Sequence, residues 1–141
     1  MTILERQRAR LRIVQEHVER ERTHQLDARV DTFGDAPEWH HKSDGQVLAG
    51  HHAIRKFYGA LFHGFPDFWL RIADTHLSDE AVVLEGEFGG THQSEWMQLA
   101  ATGRSVAVPF CAVFTFTHDD KVKAEIVYYD RLTLLTQLGV A

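Results

Sequence analysis

The sequence predicts an α+β fold, with helices gathered at the N-terminal end and packed on one face of a strongly curved, mostly antiparallel sheet. Three observations predict it. Apolar residues recur at helical spacings of three, four and seven up to Phe65, and from Phe68 onward the pattern turns to β-branched and aromatic runs separated by short polar turns. The length of 141 residues suits one hydrophobic core, so residues 1–141 read as a single domain.

Each element follows in order. Leu4, Leu11, Val14 and Val18 form one stripe of a helix running to about Glu21, and Leu26, Val30 and Phe33 continue the period into a second helix. Gly34, Asp35 and Pro37 interrupt it, because Pro cannot donate to a helical ladder. A short strand is expected around Glu38 to His41, then a turn over Lys42 to Gly45. From Gly50, the residues Ile54, Phe57, Tyr58, Leu61, Phe62 and Phe65 make a wide apolar helix face that Gly64 and Pro66 end. Strands are expected at Phe68 to Leu77, Ala81 to His92, Ser105 to His118 and Val122 to Tyr129. Ser78-Asp79-Glu80 and His118-Asp119-Asp120 supply tight turns, Gln93 to Gly103 is a longer loop, and Leu132 to Leu138 is a last helix.

Composition excludes several function classes. Fifteen Lys and Arg against twenty Asp and Glu leave a formal charge of -5, which argues against nucleic acid as a partner. The Arg6, Arg8, Arg10, Arg12 series is interleaved with Glu5, Glu16, Glu19 and Glu21 and reads as a solvated helix face. No stretch has the continuous apolar core of a signal peptide or membrane span, so no membrane association is expected. Cys111 is the single cysteine; it has no disulfide partner and reads as an inert thiol in a cytoplasmic protein. No phosphate-binding Gly loop and no Cys/His cluster appears, and neither metal nor organic cofactor is expected.

Several short stretches, in order, carry a resemblance. Gly50 with Ile54 and Phe57, Phe65-Pro66-Asp67, Gly90-Thr91-His92, Thr102-Gly103-Arg104, and Asp130 followed by Leu135, Gln137, Leu138 and Gly139 resemble the SnoaL-like polyketide cyclases of the nuclear-transport-factor-2-like superfamily. The resemblance covers roughly residues 5 to 139 and implies a cone-shaped α+β fold that pairs into homodimers through its sheet. It also implies an Asp at the end of the last long strand as general acid/base of an intramolecular aldol closure, the position of Asp130, and places His92 at a site position. A desolvated carboxylate with a raised pKa could remove a proton alpha to a carbonyl and return one to the new alkoxide.

Strand alternation extends this expectation. If Asp130 faces the interior, Tyr128 and Ile126 share its face while Tyr129, Val127 and Glu125 point away, so Tyr128 becomes the candidate donor to an enolate oxygen. A capping role for Asp130 and a core role for Tyr128 are the plain alternatives. Of His40 and His41 one must face inward, and His40 is preferred; His17, His24 and His118 read as surface. Phe57, Phe110 and Phe114 offer flat apolar surface for an aromatic or polyketide-like ligand, and Trp96, in a polar loop, reads as a flap over a cavity mouth.

The sequence departs from the cyclases where Ile126 replaces their usual Trp and Ala101 replaces a Pro, and Phe110, Cys111, Phe114 and Phe116 make the cavity more apolar than theirs. A less oxygenated ligand is the consequence. The leading expectation is therefore a cofactor-free cyclase or isomerase using Asp130 and His92. A dehydratase with His40 and His92 paired, or a non-catalytic binding or dimerising module, are the alternatives.

Overall fold

The computed structural model describes residues 1–27 and 32–141. Helix α1 (Ile3–Arg22) opens with a capping box: the Glu5 amide donates to Thr2 Oγ1 at 3.1 Å, and the Thr2 amide donates back to Glu5 Oε2 at 3.0 Å. Its apolar stripe reaches the core only in its second half. Val14 is fully buried, whereas Leu4 is exposed, and the stripe continues through buried His17 and Glu21.

The sheet consists of β1 (Phe33–His41), β2 (Gln46–Ala49), β3 (Trp69–Leu77), β4 (Ala81–Thr91), β5 (Ser105–Phe116) and β6 (Val122–Tyr129). Helix α2 (His51–Gly64) leads from β2 to β3, and α3 (Arg131–Leu138) follows β6. Strand order is β2-β1-β6-β5-β4-β3; β1 and β6 pair in parallel and the other neighbours are antiparallel.

The N-terminal region differs from the sequence expectation in two ways. Phe33, read as the end of a second helix, starts β1, and the rest of that helix falls largely on residues 28–31, outside the described residues. Gly34 and Pro37 sit in an irregular stretch of β1, between Phe33 and Glu38, where the register against β6 shifts and no ladder donor is required of Pro37. Strand β2 was not expected; it is a four-residue edge strand begun by an Asx turn in which Asp44 Oδ1 accepts from the Gln46 amide at 3.0 Å.

Curvature comes from the β3–β4 pair. The register shifts between Ile72 and Asp74, opposite Gly86, and a Cβ on Gly86 would collide with the Arg71 carbonyl. The curved sheet, α1 and α2 together enclose the core, in which Val14, Trp39, Ile54, Tyr58, Leu84 and Phe114 pack as one cluster.

Four of the five stretches that carried the resemblance meet at one corner. Asp67 accepts from the Thr91 amide at 2.7 Å and from the Thr91 hydroxyl at 2.8 Å, joining the turn after α2 to the end of β4. The Thr102 amide donates to His92 Nδ1 at 3.2 Å, the His92 amide donates to the Arg104 carbonyl at 2.9 Å, and Gly139 lies against Arg104.

The Thr91 amide holds the Asp67 carboxyl below its ordinary range, against an opposing effect of desolvation. A depressed folded-state pKa contributes stability that is present above the unfolded value near ~3.9 and lost as pH falls through the folded value. The stability gap between wild type and Asp67→Leu, measured by urea unfolding, is therefore expected to be constant from pH 7 to about pH 5 and to shrink below about pH 4. A gap that widened in acid would contradict this.

Candidate functional site: an apolar cavity closed by a buried His–Glu dyad

Between α1, α2 and the concave face of the sheet lies a cavity holding about 650 Å3 of empty space, part of it open to solvent. Its wall is overwhelmingly apolar. Trp39 comes from β1, Phe57, Tyr58 and Leu61 from α2, Phe88 from β4, Phe110 and Phe114 from β5, and Leu134 from α3. The expected aromatic lining at Phe57, Phe110, Phe114 and Trp96 is found on this wall. A wall of this polarity suits an apolar, aromatic ligand.

The polar groups on the wall are Glu21 from α1 and Glu125 and Tyr129 from β6, with the Tyr58 hydroxyl carried by α2. Glu125 is 4% exposed, and its Oε1 lies 2.9 Å from Nε2 of His17, which is wholly buried. His17 Nδ1 lies 2.6 Å from the hydroxyl of Thr32, also wholly buried. Phe33 and Phe114 meet the imidazole edge-on at 5.0 and 5.3 Å, so the ring is clamped on its faces and tied at both nitrogens. One ligand atom each of His17, Glu21 and Glu125 lies within 4.8 Å of the others, the arrangement among the described residues that could hold a cation.

Tyr129 closes the side of the cavity nearest α3. Burial pushes its phenol above the ordinary range, opposed by the Arg131 guanidinium beside it, so the group keeps its proton and can donate. Its ring stacks on His41 at 4.0 Å with 12° between the planes. His41 is fully buried and faces Asp44 Oδ2 at 2.9 Å through Nδ1. Burial raises the Asp44 pKa, but the Gln46 amide, His41 and Arg131 together outweigh it and hold the carboxyl below its usual value.

Four sequence expectations are corrected by this geometry. The inward face of β6 carries Glu125, Val127 and Tyr129, whereas Tyr128 is 43% exposed on the outer face. The parity argument took Asp130 to face inward, whereas Asp130 is exposed and its carboxylate caps the helix that follows. His41, not His40, faces inward; His40 is partly exposed and meets Glu38 at 3.0 Å. His17 is a core residue rather than a surface one, and so is His92, which does not line the cavity. His92 stacks on Phe65 at 5.2 Å, and the Thr102 amide occupies Nδ1 while Nε2 is enclosed without a hydrogen-bond partner.

Asp130 is the N-cap of α3. Its Oδ2 accepts from the Thr133 amide at 3.2 Å and the Thr133 hydroxyl at 2.6 Å. The Thr133 hydroxyl chiefly holds its carboxyl below the ordinary range, the opposite of the desolvated acid expected from sequence. Asp130→Asn, which keeps a good cap, is expected to leave thermal stability unchanged, whereas Asp130→Ala lowers it. Thermal melts of the two variants check this, and equal losses would count against the cap.

Trp96, 6% exposed, sits over the cavity on a two-residue turn in which Met97 and Gln98 are left-handed, with φ of 48° and 66°. The Trp96 and Leu99 backbones exchange hydrogen bonds of 3.1 and 2.9 Å, and Gly64 makes room for the indole, since a Cβ there would stand 2.7 Å from Trp96 Cβ. Cys111 is partly buried on the outer sheet face, and desolvation pushes its thiol up. No helix among the described residues is long and apolar enough to cross a membrane.

Comparison with solved structures recovers this architecture. A candidate SnoaL-like polyketide cyclase from Jannaschia sp. CCS1 superposes with a TM-score of 0.85 at 19% identity, covering 96% of this chain and 94% of that one. AclR from Streptomyces galilaeus, a candidate hydroxylase, gives 0.82 at 20% identity with coverage of 96% and 87%. TerC, crystallised with polyporic acid, gives 0.75 at 14% identity with coverage of 93% and 98%. At these identities the likeness establishes the fold. A search of curated proteins by sequence finds no match. The profile of the SnoaL-like polyketide cyclases matches residues 10–138, which span α1 through α3 and every wall of the cavity, and the chain belongs to that family.

Proposed function

We propose that this protein is a cofactor-free cyclase or isomerase of a flat, weakly oxygenated, polyketide-like carbonyl compound, with Glu125 rather than Asp130 as general acid/base. The observation that carries the proposal is a carboxylate 4% exposed on an otherwise apolar cavity wall and hydrogen-bonded at 2.9 Å to a fully buried imidazole. A carboxylate at this wall can accept a proton from a bound ligand, and the imidazole keeps it oriented.

In the proposed reaction the Glu125 carboxylate takes the proton alpha to the substrate carbonyl. Tyr129 donates its hydroxyl to the developing enolate oxygen. The enolate carbon then attacks a second carbonyl of the same molecule, and Glu125 returns its proton to the resulting alkoxide. His17, anchored on Thr32, positions Glu125 throughout. His40 and His92 share no cavity wall, so the paired-imidazole dehydratase has no support in this arrangement.

The test is solvent exchange. Candidate 1,3-dicarbonyl compounds are first screened for binding through quenching of Trp39 and Trp96, which line the cavity. Bound compounds are then incubated with enzyme in D2O and followed by NMR. Deuterium incorporation alpha to a carbonyl, at catalytic protein concentration, is the expected result; tight binding without exchange would favour the binding-module reading.

A homodimer is proposed with it. The outer sheet face places Val83, Val113 and Ile126 in one cross-strand row and Glu85, Cys111 and Tyr128 in the next, a broad and largely apolar surface. Residues 126 and 128, not 127 and 129 as strand parity from Asp130 suggested, lie on this face. Light scattering at micromolar concentration is expected to give about twice the monomer mass of 16.1 kDa.

A further inference from the structure

Next to the cavity lies an outer pocket that no step of the proposed reaction uses. Trp96 and Leu134 line both, and Met97, Leu99, Arg131 and Leu135 complete the outer one, which holds about 500 Å3 of empty space including open solvent. Among the described residues five of these six side chains are apolar, and the sixth is the charged Arg131.

The guanidinium is only partly used. Its Nη2 binds Asp44 Oδ2 at 2.6 Å and stands 3.5 Å from His41 Nδ1, while Nε is enclosed with no hydrogen-bond partner. A guanidinium presents five N–H donors in a fixed fork, a geometry suited to carboxylate oxygens. Asp44 takes an Nη2 donor and offsets part of the charge, which leaves the rest of the fork. Arg131 also lies beside Tyr129, whose ring is on the cavity side, so the cation stands at the junction of the two compartments.

We propose that the outer pocket is a subsite for the acidic end of an apolar ligand: Arg131 donates to a carboxylate or enolate oxygen, and Trp96, Leu134 and Leu135 cover the adjoining carbon skeleton. The proposal rests on the reading of the cavity as the substrate site, and it narrows the substrate class to apolar carbonyl compounds that carry an anionic oxygen at one end. It gives the site two poles, Glu125 with His17 at the reacting end and Arg131 at the recognition end.

The test compares two dyes with one aromatic skeleton, 8-anilinonaphthalene-1-sulfonate and the neutral N-phenyl-1-naphthylamine, titrated by fluorescence. The anionic dye is expected to bind about tenfold more tightly, the size of a hydrogen bond to a charged group. Arg131→Gln should remove that preference and leave the neutral dye's affinity unchanged. Asp44→Asn should raise the anionic dye's affinity, because it removes the carboxylate 2.6 Å from the guanidinium. Simple misfolding could not produce opposite shifts in these two variants.

Equal binding of the two dyes to wild type, no response to Arg131→Gln, or no binding of either dye would each overturn the proposal. Glu125→Gln separates it from the catalytic reading, since that variant should keep the dye preference even while it loses proton exchange. Absence of exchange in wild type with the dye preference intact would remove the catalytic reading alone.

Discussion

Glu125→Gln is expected to fold normally, to bind ligand as wild type does, and to lose alpha-proton exchange by about 10²- to 10⁴-fold, the usual contribution of a positioned acid or base. Glutamine keeps the volume and shape of the side chain, so the cavity wall formed by Glu125, Val127 and Tyr129 stays filled. Its amide can still meet His17 Nε2 across the 2.9 Å gap through either its oxygen or its nitrogen. What it lacks is the ability to accept a proton. The loss should therefore fall on kcat with little change in KM, which initial rates of deuterium incorporation across a substrate series would measure. Exchange at the wild-type rate in this variant would sink the assignment. Asp130→Asn is the comparison: its carboxylate is exposed and engaged by Thr133, so exchange should be unaffected.

The second large effect concerns stability. His17→Ala is expected to cost about 3 to 5 kcal/mol, because it removes a wholly buried ring and also takes a partner from a buried carboxylate. The ring fills the space between Phe33 and Phe114, so a cavity replaces it. Thr32 loses its 2.6 Å contact at the same time. For a domain of this size about 3 kcal/mol corresponds to roughly 10 °C in melting temperature. His118→Ala, at an exposed turn position, should change stability by less than about 0.5 kcal/mol. Urea unfolding of both variants measures the contrast, and similar midpoints for the two would show that the dyad carries no structural weight.

The fold was legible because its signals are local. A wide apolar face at helical spacing defines α2 wherever it packs, and the β-branched runs of β3 to β6 have no alternative use. The resemblance stretches were legible as well, but four of the five form a corner. Asp67 with Thr91, and His92 with Thr102 and Arg104, bond to one another and fix how the turn after α2 and the loop after β4 join the sheet. A residue recognised by its place in such a pattern is recognised for holding the fold, and that explains how His92 came to be read as a site residue.

The polar site was not legible, for two physical reasons. The face of every β6 residue hung on one premise, that Asp130 points inward, whereas Asp130 is exposed and its carboxylate turns to cap α3. Counting back from Asp130 therefore put every residue on the wrong face. The other reason is that polar side chains on a helix are ordinarily solvated, and His17 and Glu21 share α1 with seven exposed charged residues. Only packing against Phe33, Phe114 and Glu125, 108 residues away from His17, buries them.

The amino-acid sequence by itself determined α1 to α3 and β3 to β6, the family and the aromatic residues Phe57, Trp96, Phe110 and Phe114 of the cavity wall, since these follow from local spacing and residue type. Tertiary structure decided which carboxylate meets the cavity. Asp130 and Glu125 have the same chemistry, and the helix cap leaves one in water while the bend of the sheet under α1 takes the other out of it.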